Sequence, residues 1–199
     1  MKVSHAFGLA TASILFAAYS LPGYTQSSPS STAPSTTHSS STGTQAGTEL
    51  KHADKKFIEE AAQNGLAEVE LGKLAATKAS SDDVKKFAQQ MVDDHTKSNN
   101  ELQQIAQNKG VTFPTAPDAS DQRALKKLEG LSGPEFDKRY LSEAGVKGHR
   151  DNQKLFQNEA TKGQDPDLKT FAQKTLPVIT HHLQMAQNMA DSHNKAATK

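Results

Sequence analysis

Four stretches of this chain carry apolar and small residues at helical spacing, and that period constrains the fold more than any other feature. Between residues 54 and 80, Phe57, Ala61, Gly65, Glu68, Leu71 and Ala75 trace one stripe, with Ile58, Ala62, Val69 and Gly72 beside it. Ser80, Ser81, Asp82 and Asp83 then supply a capping side chain and acidic first-turn residues, favourable beside unpaired amides and the positive end of a helix dipole. A second helix is predicted from there, striped by Val84, Phe87, Ala88, Met91, Val92, His95, Leu102, Ile105 and Ala106 and stopping at Gly110. Residues 54–110 thus read as a helical hairpin.

The second half repeats the pattern. Pro134 suits a first helical turn, and Phe136, Tyr140, Leu141, Ala144, Gly148, Asn152, Leu155 and Phe156 stripe a third helix ending near Lys162 and Gly163. Asp165 reads as an N-cap with Pro166 at the first helical position. Leu168, Phe171, Ala172, Leu176, Ile179, His182, Leu183, Ala186 and Met189 line a fourth helix, and Pro177 frees the carbonyl of Gln173 and should kink it. The segment Asp83-Val84-Lys85-Lys86-Phe87-Ala88-Gln89 matches Asp167-Leu168-Lys169-Thr170-Phe171-Ala172-Gln173 at five of seven positions. A duplicated hairpin explains the match better than coincidence between two amphipathic helix starts. Residues 111–133, with Pro114, Pro117, Gly130 and Gly133 around a short helix at Asp121–Leu131, form a connection long enough to cross the height of the bundle. The expected fold is all-α: a four-helix bundle of two hairpins joined by a long connection, occupying residues 49–193, with 194–199 as a frayed tail.

Ahead of the bundle, Lys2 and an apolar stretch from Ala6 to Leu21 read as a signal peptide over 1–25, cleaved between Ser20 and Ser28. An uncleaved membrane anchor is the alternative, although the stretch is shorter than the ~20 residues a spanning helix needs. Residues 26–48 are dominated by Ser and Thr with Pro and Gly, which cannot offset ordering entropy by burial, so they read as a disordered linker. Export to the periplasm or cell envelope follows as the expected address. With Lys+Arg 23 against Asp+Glu 22 there is no basic footprint for nucleic acid; a protein or cell-wall partner in the envelope stays open, as does oligomeric state. Cysteine is absent, which removes disulfides, thiolate ligands and thiol nucleophiles.

What chemistry remains rests on histidine and carboxylate. Glu68 lies thirteen residues before Ser81 and His95 fourteen after it, which puts them at one height, facing each other across the first hairpin. His149 and His182 fall near mid-bundle at the same level. Glu68, His95, His149 and His182 are therefore candidate ligands for one transition metal ion, Fe, Zn, Mn or Cu, with Asp94, Glu143 and Asp151 as orienting partners for the imidazoles. A Glu68–His95 hydrogen-bonded pair would account for the same residues without metal. His181 points about 100° away from His182 and is expected to be exposed. No phosphate loop, nucleophile triad or dinucleotide fingerprint is present.

The run Glu68-Val69-Glu70-Leu71-Gly72-Lys73-Leu74-Ala75, with Val84 to Phe87, Met91 to His95, Phe136-Asp137, Tyr140-Leu141, His149, Thr175 to Pro177 and His182-Leu183, resembles a bacterial family of exported proteins. That family carries a domain of unknown function, is often labelled as outer membrane proteins, and is described as ferritin-like. The resemblance implies a ferritin-like four-helix bundle in the periplasm or envelope and brings no reaction with it. Di-iron members of the broader fold use Glu-x-x-His on two helices, whereas Val92 and Ile179 stand three residues before His95 and His182. The reading is a non-enzymatic envelope or stress-associated module, with a metal-binding or redox-protective protein as the alternative.

Overall fold

The computed structural model describes residues 50–197, so the expected signal peptide (1–25) and linker (26–48) lie outside the described residues. All regular structure among the described residues is helical. Helix α1 (His52–Lys78) and α2 (Asp82–Asn108) form the first hairpin, α3 (Ala119–Glu129) lies in the connection, and α4 (Gly133–Tyr140) opens the second half. A π-helical segment (Leu141–Gly148) joins α4 to α5 (His149–Lys162), and α6 (Pro166–Ala197) completes the second hairpin. Helix α1 packs on α2 and α5 on α6, while α6 also meets α2 and α1 meets α5; α3 rests on α1.

The α1–α2 contact is close because Gly72 has no side chain: a Cβ there would meet the Ala88 carbonyl and Val92 Cγ2 at 2.9 Å. At the far end of α2, Gly110 takes φ 66°, Gly110 N–H donates to Gln107 and Val111 N–H to Ala106, the paired bonds of a Schellman stop.

The turns are held differently from the sequence expectation. Ser81 occupies the N-cap of α2, yet its side chain makes no cap bond. The donors are met instead by Asp137 of α4, fully buried, whose Oδ1 accepts from Ser80 N–H (2.9 Å) and whose Oδ2 accepts from Ser81 N–H (2.9 Å) and the Ser80 hydroxyl (2.6 Å). Asp54 of α1, equally buried, does the same for the other hairpin, accepting from Gln164 and Asp165 N–H at 3.2 Å. Each turn is thus closed by a carboxylate from the first helix of the opposite hairpin. Asp165 does cap α6 as expected, accepting from Asp167 and Leu168 N–H. Helix α6 continues through Pro177 and past Asp191, with Ser192 Oγ donating back to the Asn188 carbonyl.

This reciprocal capping extends the internal repeat and locates a difference between its copies. Asp54, Phe57, Ala61 and Ala62 correspond to the likewise buried Asp137, Tyr140, Ala144 and Gly145, 83 positions on. Glu68, Gly72 and Ala75 correspond to buried Asn152, Phe156 and Glu159, and Lys78 to Lys162 as the last helical residue, 84 positions on. The second copy therefore holds one extra residue between Gly145 and Asn152, and the wider π turn absorbs it, keeping both flanks facing the core.

Two apolar clusters fill the interior. One gathers Leu71, Val84, Phe87, Met91, Phe136, Tyr140 and Leu141; the other gathers Phe57, Ile58, Leu102, Phe156, Leu168, Phe171 and Ile179, with Phe57 and Phe156 edge to face at 5.2 Å. Between them every long helical stretch contributes buried polar residues: Glu68 from α1, His95 and Asn99 from α2, His149 and Asn152 from α5, and His182 from α6. A buried polar layer costs free energy unless its groups are paired, so its pairing defines the site.

Candidate metal centre

His95, His149 and His182 meet in this layer, each offering a ring nitrogen within 4.8 Å of the others'. Ring centroids stand 5.3–5.6 Å apart. His95 Nε2 lies 3.4 Å from His149 Nε2. His149 follows the π segment as the first residue of α5, and its Nδ1 lies 3.1 Å from the carbonyl of Ala144, five residues earlier, the spacing of a π turn. That bond makes Nδ1 the protonated nitrogen and leaves the Nε2 lone pair toward His95. His182 is held from the other side: Nε2 donates to Asp94 Oδ2 at 2.9 Å, and Nδ1, buried, has no partner among the described residues.

The heights counted along the chain bring three of the four expected residues together and put the fourth a layer further out. Glu68 does not face His95; its Oε1 lies 3.6 Å from His149 Nδ1. Rise per residue fixes a level but not which way a side chain turns, and room for Glu68 exists here because residue 148 is glycine. A Cβ on Gly148 would stand 2.9 Å from Glu68 Oε1. Asp94 is an orienting partner as expected, but Glu143 pairs with Arg139 and Asp151 with Lys147 on the exposed surface. His181 is exposed. Sequence reasoning gave no role to the Ala144 carbonyl, and nothing in a stripe of apolar residues marks a carbonyl that a wide turn aligns with a ring.

Burial dominates the electrostatics. It holds His95 well below the usual imidazole value, with His149 and His182 adding to the effect, and pushes His182 down to about 4 against the opposing pull of Asp94. Both rings are therefore neutral near pH 7 and carry free lone pairs, the state a metal ligand needs. Burial also raises Glu68, and burial together with the nearby Glu68 raises Tyr140 well above the phenol range. Glu68 Oε2 and the Tyr140 hydroxyl are buried without partners among the described residues.

Two cavities flank the centre. One of about 130 Å³ opens between α2 and α6 and is lined by His95 and His182. The other, about 300 Å³, lies beneath α3 and is lined by Glu68, Asp121, Asn152 and Gly148 but by none of the three histidines.

Among solved structures, a DUF305 fragment from Deinococcus radiodurans superposes with a TM-score of 0.64 at 9% identity, covering 72% of this chain and 98% of that one. At that identity the likeness concerns the fold alone. No curated protein matches the chain. The first hairpin, the reciprocal carboxylate caps, the polar layer and the second hairpin up to the last turns of α6 fall within residues 39–189, the span matched by the domain of unknown function DUF4142, and the chain belongs to that family.

Proposed function

We propose that the protein is an exported, ferritin-like four-helix bundle of the bacterial envelope that binds one transition metal ion through His95, His149 and His182. The observation that carries this reading is the convergence of three buried imidazoles, two held neutral by their surroundings, on a span of 4.8 Å. Imidazole sets suit Zn, Cu and Fe better than the oxygen-preferring Mg and Ca. Asp94 takes the outer position against His182 Nε2, in the carboxylate–histidine–metal arrangement that raises ligand basicity, while the Ala144 carbonyl holds His149 Nδ1 with Glu68 Oε1 3.6 Å away. The packing of α1 on α2 and α5 on α6, with α2–α6 and α1–α5 contacts, supports the bundle reading, and the sequence of residues 1–48 supports export.

Elemental analysis of untagged protein purified without chelator tests the proposal. About one Zn, Cu or Fe per chain is expected, absent from a His95→Ala, His182→Ala variant of unchanged helicity. Protein that is metal-free and takes up none of these ions on reconstitution would overturn it. The histidines would then be core polar groups held by Asp94, the Ala144 carbonyl and the His95–His149 contact, within a non-enzymatic module.

The π segment makes a second, separable prediction. Deleting Lys147 should leave the fold intact, because α1 keeps the same buried pattern without the extra residue, and its surface bridge to Asp151 contributes only about 0–1 kcal/mol. The Ala144–His149 bond should be lost, with metal affinity falling roughly 10–100-fold. Unchanged affinity in a titration of the folded deletion variant would remove the π turn from the site.

A further inference from the structure

The cavity between α2 and α6 reaches the side of the cluster where His95 and His182 stand, and no protein group fills it. The converging atoms come from three histidines alone, and Glu68 is engaged at the outer nitrogen of His149, so the chain supplies three ligands. Three protein ligands beside an accessible space is the pattern of an open metal site; closed structural sites use four.

The lining is close to neutral in charge, so the charge of a bound ion makes the cavity favour a small anion. Of its two carboxylates, Glu101 is paired with Lys174, whose Nζ lies 2.7 Å from Glu101 Oε2, while Asp94 accepts from His182, a neutral ring that leaves the carboxylate charge in place. Lys97 also lines the cavity and offsets the Asp94 charge. Ser98 and Thr175 add hydroxyl donors. The floor would carry the charge of an ion held by neutral imidazoles, uncompensated within its own ligand set. At about 130 Å³ the space takes a few water-sized groups, and Val178, 41% exposed, stands at its edge. The cavity beneath α3 offers no such route, since a ligand there meets Glu68 and Gly148 before any histidine.

We propose that this cavity admits a small monodentate anion to a fourth coordination position on the ion, making the centre an open, ligand-exchanging site. The inference rests on the metal reading above and deepens it.

The test loads the protein with Cu²⁺, verifies the loading by elemental analysis, and then titrates azide while following the charge-transfer absorption. A saturable band is expected. Val178→Trp and Thr175→Phe, which crowd the cavity and replace no ligand, should retain the metal and weaken azide binding roughly tenfold or more. A loaded protein that shows no azide band would overturn the open site and leave metal binding standing. Plugged variants that bind azide as tightly as the parent would overturn this route. Failure to load Cu²⁺ would overturn the open site as stated and leave the metal reading to the Zn and Fe reconstitution above.

Discussion

Replacing Asp137 with alanine is expected to destabilise the protein by roughly 3–5 kcal/mol, because three donors lose a buried charged acceptor at once. The Ser80 and Ser81 amides lie at the positive end of α2, where a carboxylate adds favourable dipole energy that alanine cannot. Asp54→Ala should cost less, since its two bonds are longer at 3.2 Å. Ser81→Ala should stay within about 0.5 kcal/mol despite its N-cap position, because its hydroxyl makes no cap bond. Urea denaturation of the three variants ranks these effects. A larger loss for Ser81→Ala than for Asp137→Ala would show that the turn is capped locally after all.

The second large effect is acid sensitivity of the metal-free protein. His182 has a folded pKa near 4, below the ordinary value of about 6.5, so below that value the unfolded chain binds more protons than the folded one. Its contribution is fully present above about pH 6.5 and is lost as pH falls toward 4, amounting to roughly 3 kcal/mol over that window. His95, lowered for the same reason, acts in the same direction. Glu159 acts in the opposite one: burial, with Asp54 and Asp165 close by, raises it to about 7, so its contribution is present at low pH and lost as pH rises through that value. The parent curve alone would therefore mix two trends. The informative measurement is the stability difference between the parent and His182→Gln at each pH from 4 to 8. That difference should grow by roughly 3 kcal/mol with rising pH; a flat difference would mean that His182 is not desolvated in the folded state.

The helices were legible because apolar period is a local property that survives without partners. Phe57 to Ala75, Val84 to Ala106 and Leu168 to Met189 name their own buried faces. The level of the site was legible for the same reason, since counting residues from a turn fixes height, and His95, His149 and His182 do converge. Azimuth and pairing were not legible. Glu68 turns to His149 because Gly148 leaves space on a neighbouring helix, and Glu143 and Asp151 turn to exposed basic residues on their own helical stretch.

Periodicity along the chain was enough for an all-helical chain, a duplicated hairpin signal and a set of histidines at one height. Which atoms meet depended on how the helices pack. The extra residue of the second copy is visible as a shift from 83 to 84 only once Asp54 and Asp137 are seen doing equivalent work at opposite turns. Its consequence, a wide turn that aligns the Ala144 carbonyl with His149, depends on backbone geometry that side-chain periodicity does not encode. The caps fall on the same side of that divide: a hydroxyl at an N-cap position is a local preference, and here a buried carboxylate from the opposite hairpin satisfies the amides in its place.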